Sequence, residues 1–124
     1  MQPNIIDIDL TPLPQWLEQA GQLAMVYFRQ VVPQQKSNGS LLTEADLTIE
    51  RFLISQLQKA YPTHDILAEE SDPAEQKSDF LWTIDPLDGT TAFVHGLPDW
   101  GIAVGLLHKG TPVWGVFHMP MLGR

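Results

Sequence analysis

The sequence predicts an α+β fold in which a pair of helices packs on a largely antiparallel sheet. Two stretches in the first half repeat apolar residues every three or four positions, which is the spacing of helices with one buried face. Short β-rich runs follow after residue 62. A hydrophobic content of 44% with 18% charged residues is typical of a folded chain, and its 124 residues are expected to form one domain over 1–124.

Both helices carry boundary signals. The first apolar stripe covers residues 13–31, and Pro33 is expected to end it. The second helix should begin after Thr43, whose hydroxyl suits a helix cap, and should end before the Tyr-Pro pair at 61–62. The polar segment 34–40 between the helices contains Asn-Gly and predicts a mobile loop.

Four β-rich runs are expected in the second half of the chain. The second of them is mostly apolar and should end at Asp85, and a polar loop over 71–79 precedes it. A His-Lys-Gly-Thr segment over 108–111 joins the last two runs and predicts a hairpin. The four runs are residues 65–68, 80–84, 100–107 and 112–118.

The composition excludes several classes of partner. Fifteen acidic against seven basic residues give a net charge of −8, and a field of that sign repels nucleic acid and anionic membranes. The chain has no cysteine, so any metal must be held by oxygen or imidazole, and a reducing compartment is suitable. Without a basic leader or a long apolar run, we expect a soluble, cytoplasmic protein with no membrane segment.

The acidic residues are concentrated in the middle of the chain. Twelve of the fifteen lie between residues 44 and 99, and several adjoin apolar or glycine-rich positions. A solvated acidic face is the simplest explanation, but a bound cation would offset the cost of burying such carboxylates.

The segment 84–93, IDPLDGTTAF, is the most informative part of the sequence. An apolar strand leads into two carboxylates, Asp85 and Asp88, which are followed by a glycine and two threonines. If Gly89 and Thr90 open a helix, their backbone N–H groups suit a phosphate. Because Mg²⁺ takes oxygen ligands and phosphate, the pattern indicates metal-assisted phosphoryl chemistry.

Spacing separates this segment from two other acidic motifs. An EF-hand loop needs acids at alternate positions before its glycine, whereas the order here is Asp-x-x-Asp-Gly. A phosphatase of the haloacid dehalogenase type has Asp-x-Asp-Gly-Thr, and the additional Leu87 breaks that pattern. We therefore expect direct attack by a metal-activated water.

Four blocks follow one another along the chain: Lys36-Ser37, LTEAD over 42–46, AEES over 68–71, and WTIDPLDGTTAFVHG over 82–96. In this order they resemble the N-terminal half of the inositol monophosphatase family of magnesium-dependent, lithium-sensitive sugar phosphatases. The resemblance covers the chain from about residue 13 to its end and implies the first part of the layered αβαβα fold shared with fructose-1,6-bisphosphatases.

The resemblance implies a set of site residues. Asp46 and Thr90, with Glu69, would be catalytic, the first two orienting and deprotonating the attacking water. The implied metal ligands are Glu69, Asp85, the Leu87 carbonyl and Asp88, with Asp85 shared between two ions. The implied phosphate ligands are Gly89, Thr90 and Asp88, and Glu70 and Lys36 are possible further members.

The resemblance also concerns cofactors and partners. Members of the family use two or three Mg²⁺ ions and are about twice this length. Their C-terminal half, absent from these 124 residues, supplies a further aspartate and most groups that bind the substrate alcohol, so the second metal site would lack one ligand here. A homodimer or a complementing C-terminal chain is therefore expected.

The predicted function is Mg²⁺-dependent hydrolysis of a small alcohol phosphate such as inositol 1-phosphate. Histidinol-phosphate phosphatase, suggested by the run MPMLGR over 119–124, and fructose-1,6-bisphosphatase-type activity stay open, whereas Thr91 and Ala92 disfavour a bisphosphate nucleotidase. An alternative of another class is a catalytically incomplete fragment that only binds metal or a partner chain.

Overall fold

The computed structural model describes residues 8–28, 34–35, 41–68 and 78–123. Most of the chain in these ranges is helix or strand, and none of the helices is long and apolar enough to span a bilayer. In chain order the elements are α1 (Leu13–Tyr27), β1 (Gln34–Gln35), β2 (Leu41–Leu42), α2 (Glu44–Ala60), β3 (Asp65–Ala68), β4 (Phe80–Asp88), α3 (Thr90–Val94), β5 (Gly101–His108), β6 (Thr111–His118) and a 3-10 turn (Pro120–Leu122).

Strands β3 to β6 form one sheet in chain order. β3 runs parallel to β4, while β5 is antiparallel to both of its neighbours, β4 and β6. The predicted α+β class with a largely antiparallel sheet is confirmed, with one parallel pair. The parallel register places Ala68, the last residue of β3, opposite Ile84, so that β3 ends beside the residue that precedes Asp85.

Helix α1 ends earlier than predicted. It stops at Tyr27 rather than near residue 31, because Phe28 leaves the helical backbone with φ −57° and ψ 125°. This turn allows the Phe28 ring to pack against Phe93 and Trp100, 5.4 and 5.7 Å away between ring centroids. Residues 29–33 lie outside the described ranges.

Helix α2 has the predicted boundaries. The Thr43 side chain accepts from the backbone N–H of Asp46, and the Asp46 side chain accepts from the backbone N–H of Thr43. This reciprocal capping box satisfies two backbone donors at the start of the helix. At the other end, the backbone N–H of Tyr61 donates to the carbonyl of Leu57 at 2.8 Å.

The sequence predicts the hairpin of β5 and β6, but it does not predict the pairing of β1 with β2. The turn between β5 and β6 is confirmed, and its Lys109 and Gly110 have φ of 52° and 82°, as a tight hairpin turn requires. The predicted loop over 34–40 is wrong at its first positions, because Gln34 pairs with Leu42 and Gln35 with Leu41. Asn-Gly between short polar runs is also a hairpin signal. Its expected mobility concerns residues 36–40, which are not described.

The helix pair covers only one face of the sheet. Alternate residues of β4 and β5 on that face are buried in one core with both helices. The opposite face carries small residues such as Ala103, Gly105 and Gly115 in paired positions. Leu67 and Phe117 remain 42% and 44% exposed. This second face is the less buried one.

Candidate active site

The predicted acidic motif lies at the C-terminal end of β4. The strand continues past Asp85, where the sequence predicted its end, to Asp88, and its pairing with β5 shifts between these two acids. Pro86 lies in this interval and has no N–H for the ladder, which accounts for the irregularity. Asp85 is half-buried and Asp88 is exposed. Both acids therefore flank one irregularity at the C-terminal end of β4, an inner strand of the sheet.

Gly89 makes the turn that follows. Its φ of 88° is left-handed, and it caps helix α3. A Cβ at this position would lie 3.0 Å from the Asp99 carbonyl oxygen and 3.2 Å from the Trp100 Cα. Both the backbone conformation and the available space therefore require glycine here. The predicted helix opening at Gly89 and Thr90 is confirmed, and the first N–H groups of a helix have no intrahelical acceptor.

The Thr90 hydroxyl joins two other predicted site residues. Its Oγ1 lies 3.1 Å from the carbonyl oxygen of Leu87 and 3.5 Å from Oδ1 of Asp46. A hydroxyl has one proton to donate, and the shorter contact assigns it to the Leu87 carbonyl. Thr90 thereby connects helix α2 with the end of β4, although Asp46 and Thr90 are 44 positions apart in the sequence.

Asp46 is a buried carboxylate with its orientation fixed. It is 1% exposed, and its Oδ2 accepts the backbone N–H of Thr43 at 2.8 Å and the Thr43 hydroxyl at 2.6 Å. The other oxygen, Oδ1, is the one that faces Thr90. The capping box of α2 thus aims one oxygen of Asp46 at the predicted site.

The predicted residues divide into three groups. The contacts of the Thr90 hydroxyl bring together Asp46, Leu87 and Thr90. Asp85, Asp88 and Gly89 lie in the same continuous segment at the end of β4. The remaining three predicted residues, Lys36, Glu69 and Glu70, lie outside the described residues, so their roles stay predictions.

The groups at the C-terminal end of β4 that could bind a metal ion do so through oxygen atoms. Among the residues that the structure describes, no three His, Cys, Asp or Glu side chains are grouped as a metal site. The two carboxylates of the β4 end and the Leu87 carbonyl are nevertheless the donor types that Mg²⁺ takes. Their chemistry fits a hard divalent cation better than a soft one.

Sequence reasoning missed two buried polar groups. Glu50 is 1% exposed and lies one helical turn after Asp46, on the same side of α2. Its spacing of four residues from Asp46 was the available signal. Trp100 is fully buried beside the Gly89 turn, and its indole N–H has no hydrogen-bond partner among the described residues. No sequence signal indicated that unpaired donor.

Comparison with known proteins decides the family. The model of the inositol monophosphatase family matches residues 10–124. The chain belongs to this family. The resemblance inferred from the four sequence blocks is therefore confirmed. Two of the matching relatives are named as a fructose-1,6-bisphosphatase/inositol-1-monophosphatase and a 3'(2'),5'-bisphosphate nucleotidase, and others are named as Nus factors.

Three relatives illustrate the match. The chain is 37% identical over 110 residues to a fructose-1,6-bisphosphatase/inositol-1-monophosphatase of Thermotoga maritima, covering 87% of the chain and 42% of the relative. It is 38% identical over 111 residues to a 3'(2'),5'-bisphosphate nucleotidase CysQ of Aggregatibacter actinomycetemcomitans, covering 86% and 41%. A solved Thermotoga maritima IMPase superposes with a TM-score of 0.86 at 34% identity, over 92% of this chain and 45% of that one.

These matches confirm the fold, but they do not identify the substrate. The chain spans less than half the length of each of these three relatives. A bisphosphatase and a nucleotidase match at nearly equal identity, so similarity does not separate the substrate branches. In particular, it gives no support to disfavouring the nucleotidase branch on Thr91 and Ala92.

Proposed function

We propose that this chain provides the metal- and phosphate-binding part of a Mg²⁺-dependent phosphomonoesterase that acts on a small phosphorylated alcohol. Inositol 1-phosphate is the first candidate substrate. The observation that carries the proposal is the contact of Thr90 with Asp46 and Leu87. It places a buried carboxylate and a hydroxyl beside the acidic end of β4.

Asp46 and Thr90 are proposed to orient the attacking water and to remove its proton. The capping box holds Oδ2 of Asp46, and Oδ1 is the oxygen that faces the Thr90 hydroxyl and is proposed to act with it. A hydroxyl can accept a hydrogen bond from water while it donates its own proton to an acceptor. General-base assistance of this kind contributes roughly 10²–10⁴-fold to a rate.

Asp85, Asp88 and the Leu87 carbonyl, together with Glu69, are the proposed ligands of Mg²⁺, and Asp85 would be shared if two ions bind. When bound, Mg²⁺ acidifies water and offsets charge on the phosphate and the leaving oxygen. The Leu87 carbonyl can take this role while it accepts the Thr90 hydroxyl, because a carbonyl oxygen has two lone pairs.

The phosphate is proposed to contact the backbone N–H groups of Gly89 and Thr90. These groups begin α3, and the left-handed Gly89 allows a ligand to approach the backbone closely. The neighbouring Asp88 repels a phosphate unless a cation lies between them. This proposal therefore links phosphate binding to Mg²⁺.

A bisphosphorylated substrate is the second candidate. It is favoured by the names of the two relatives at 37% and 38% identity, a bisphosphatase and a bisphosphate nucleotidase. Histidinol phosphate is the third, on the resemblance of residues 119–124. The competing hypothesis of another class is that this chain binds metal without turnover unless a further polypeptide is added.

The site is proposed to need a further part of the family fold, the part of its relatives that this chain does not cover. The exposed second face of the sheet carries Leu67, Val113 and Phe117, and an apolar sheet face in a layered fold is covered by a further layer. An open apolar groove of about 570 Å³ adjoins it between α1 and β6. A complementing C-terminal segment is the proposed partner, and a second copy of this chain is the alternative. The lack of cysteine favours a cytoplasmic location.

Phosphate release tests the proposal. The substrates are inositol 1-phosphate, histidinol phosphate, fructose 1,6-bisphosphate and a 3',5'-bisphosphate nucleotide, each with Mg²⁺ and with EDTA. The chain is assayed alone and with the remaining segment of the Thermotoga maritima relative. We expect release that depends on Mg²⁺ and that falls in Asp46→Asn. Release in EDTA, or no release in either form of the assay, would contradict the proposal.

A further inference from the structure

Three aromatic rings lie behind the Gly89 turn. The rings of Phe28, Phe93 and Trp100 form what we call the three-ring cluster, with centroid distances of 4.9–5.7 Å. Phe93 meets Trp100 edge-on at 89°, an arrangement that aromatic pairs prefer. Phe93 and Trp100 are both fully buried. The cluster therefore forms a rigid support between the end of α1 and helix α3.

Trp100 contacts the turn from two sides. Its Cα and Cβ would lie 3.2 and 3.4 Å from a Cβ on Gly89, so its backbone is packed directly against that turn. Its ring contacts Phe93, which is the fourth residue of α3 and whose backbone N–H donates to the Gly89 carbonyl at 3.0 Å. Next along the chain, Gly101 pairs with Asp88 in the ladder of β4 and β5. Trp100 thus contacts Gly89 and Phe93, and its neighbour in the chain pairs with Asp88.

The indole of Trp100 is fully buried together with its polar N–H group. Its N–H is buried without a partner in the described part of the chain, and a buried unpaired donor is unfavourable. A phenylalanine would present a similar ring edge to Phe93 without that donor. In the described part of the chain, the N–H of Trp100 therefore makes no hydrogen bond to the turn, and the contacts that reach the turn are those of its ring and backbone.

We propose that Trp100 is a positioning residue for the turn formed by residues 88–90. Its ring and backbone hold the N–H groups of Gly89 and Thr90 in the direction in which they meet a phosphate. The inference rests on the proposed function of that turn. Trp100 does not touch the substrate in this account, and it acts through Gly89 and Phe93.

Backbone order tests this inference without any ligand. In ¹⁵N relaxation measurements on the whole chain, Gly89 and Thr90 should have order parameters near 0.85 in the wild type and below about 0.6 in Trp100→Leu. Strand β4 should stay rigid in both. Trp100→Phe should restore the order of the turn, because it keeps the ring.

Ligand binding supplies the second measurement. Inorganic phosphate is titrated in the presence of saturating Mg²⁺, and Mg²⁺ is titrated alone. Trp100→Leu should weaken phosphate binding about tenfold or more, the loss expected when hydrogen bonds to a charged group are misaligned. Mg²⁺ binding should change by less than about twofold, a difference of under half a kcal/mol. Trp100→Phe should bind both ligands as the wild type does.

Trp82→Leu is the matched control, since Trp82 is an equally buried indole in β4 that contacts Tyr61 instead of the turn. It should lower thermal stability without changing the order of Gly89. If Trp100→Leu does not fold, Phe93→Leu removes the edge-on partner of Trp100 and should disorder the same turn.

Two results would overturn the role of Trp100. One is an ordered turn in a folded Trp100→Leu or Phe93→Leu variant. The other is an equal loss of order at Gly89 and throughout β4, which would make the residue merely structural. If the wild type binds no phosphate, the phosphate part of the proposed function fails, and the relaxation data still decide the role of Trp100.

Discussion

The two ends of β4 are built from different kinds of contact. At its first residues, stacked rings pack against the strand, with His64 between Tyr61 and Phe80 at 5.3 and 4.8 Å and His108 on Phe80 at 4.5 Å. At its last residues, the Thr90 hydroxyl donates to the Leu87 carbonyl and faces Asp46, and a left-handed glycine turn follows with the three-ring cluster behind it. Stacked rings thus pack against one end of the strand, while carboxylates and a hydroxyl lie at the other.

This difference predicts which substitutions should lower the free energy of unfolding and which should lower the activity. At the aromatic end a deletion removes buried contacts, whereas at the polar end it removes a donor or an acceptor while most of the core stays intact. Variants at the two ends of one strand should therefore separate the free energy of unfolding from activity.

The largest expected effect is the loss of turnover in Asp46→Asn. The amide cannot accept the proton of water, so kcat should fall by roughly 10²–10⁴-fold. Phosphate release with Mg²⁺ measures this effect. Asp79→Asn makes the same change at an exposed position before β4 and should keep wild-type kcat. Full activity in Asp46→Asn would remove the residue from the mechanism.

Trp82→Ala should have the largest effect on folding. Trp82 is fully buried and donates from Nε1 to Nδ1 of His64 at 3.0 Å, and truncation of such a residue costs about 3–5 kcal/mol. Urea unfolding measures the loss. The Mg²⁺ affinity of the fraction that stays folded should not change. A parallel loss of metal affinity would break the distinction between the two ends.

A pair of glycines separates backbone strain from close packing. Gly89 and Gly110 have φ of 88° and 82°, but a Cβ has nothing within 4 Å at Gly110 and lies 3.0 Å from a carbonyl oxygen at Gly89. Gly110→Ala should cost about 1–2 kcal/mol from the left-handed backbone. Gly89→Ala should cost more and should also weaken phosphate binding. Equal losses in urea unfolding would show that Gly89 has no packing role.

The smallest expected effect is a pH dependence at the aromatic end. Burial lowers the pKa of His64, and the opposing charge of Asp65 is the smaller influence. Because the unfolded imidazole has a pKa of about 6.5, the unfolded state binds more protons below that pH. The contribution of His64 to the free energy of unfolding should therefore be fully present above about pH 6.5. It should decrease as the pH falls toward the folded pKa.

Urea unfolding at pH 7.5 and at pH 5.5 measures this dependence. His64→Gln keeps a hydrogen-bond acceptor for Trp82 but does not titrate, so it should lose less stability between the two pH values than the wild type does. His95→Gln, at an exposed position, is the control. The same pH dependence in His64→Gln and the wild type would exclude His64 as its source.

The sequence predicted the elements that have local signals. The start of α2 follows from the Thr43 cap, and the bounds of β3 and of the last hairpin follow from short apolar runs between turn residues. Long-range packing fixes the features that were missed. Phe28 ends α1 early because its ring packs against α3 residues, and the extension of β4 to Asp88 depends on its pairing with β5.

The site was predictable by motif, but its geometry was not. Asp85, Asp88 and Gly89 are adjacent in sequence, and their turn chemistry is visible without a structure. Asp46 lies 44 positions from Thr90, and only the family resemblance connected them before the contact was seen. The buried N–H of Trp100 is a product of tertiary packing, and composition and spacing carry no signal for it.

A Mg²⁺ titration tests the central claim, that the polar end of β4 holds the cation required for phosphate chemistry. Calorimetry compares the wild type with Asp85→Asn and with the exposed control Asp79→Asn. We expect Mg²⁺ to bind the wild type and the control equally and to bind Asp85→Asn about 10–100-fold more weakly, as when a metal site loses a supporting carboxylate. No binding by the wild type, or equal binding by Asp85→Asn, would contradict the account.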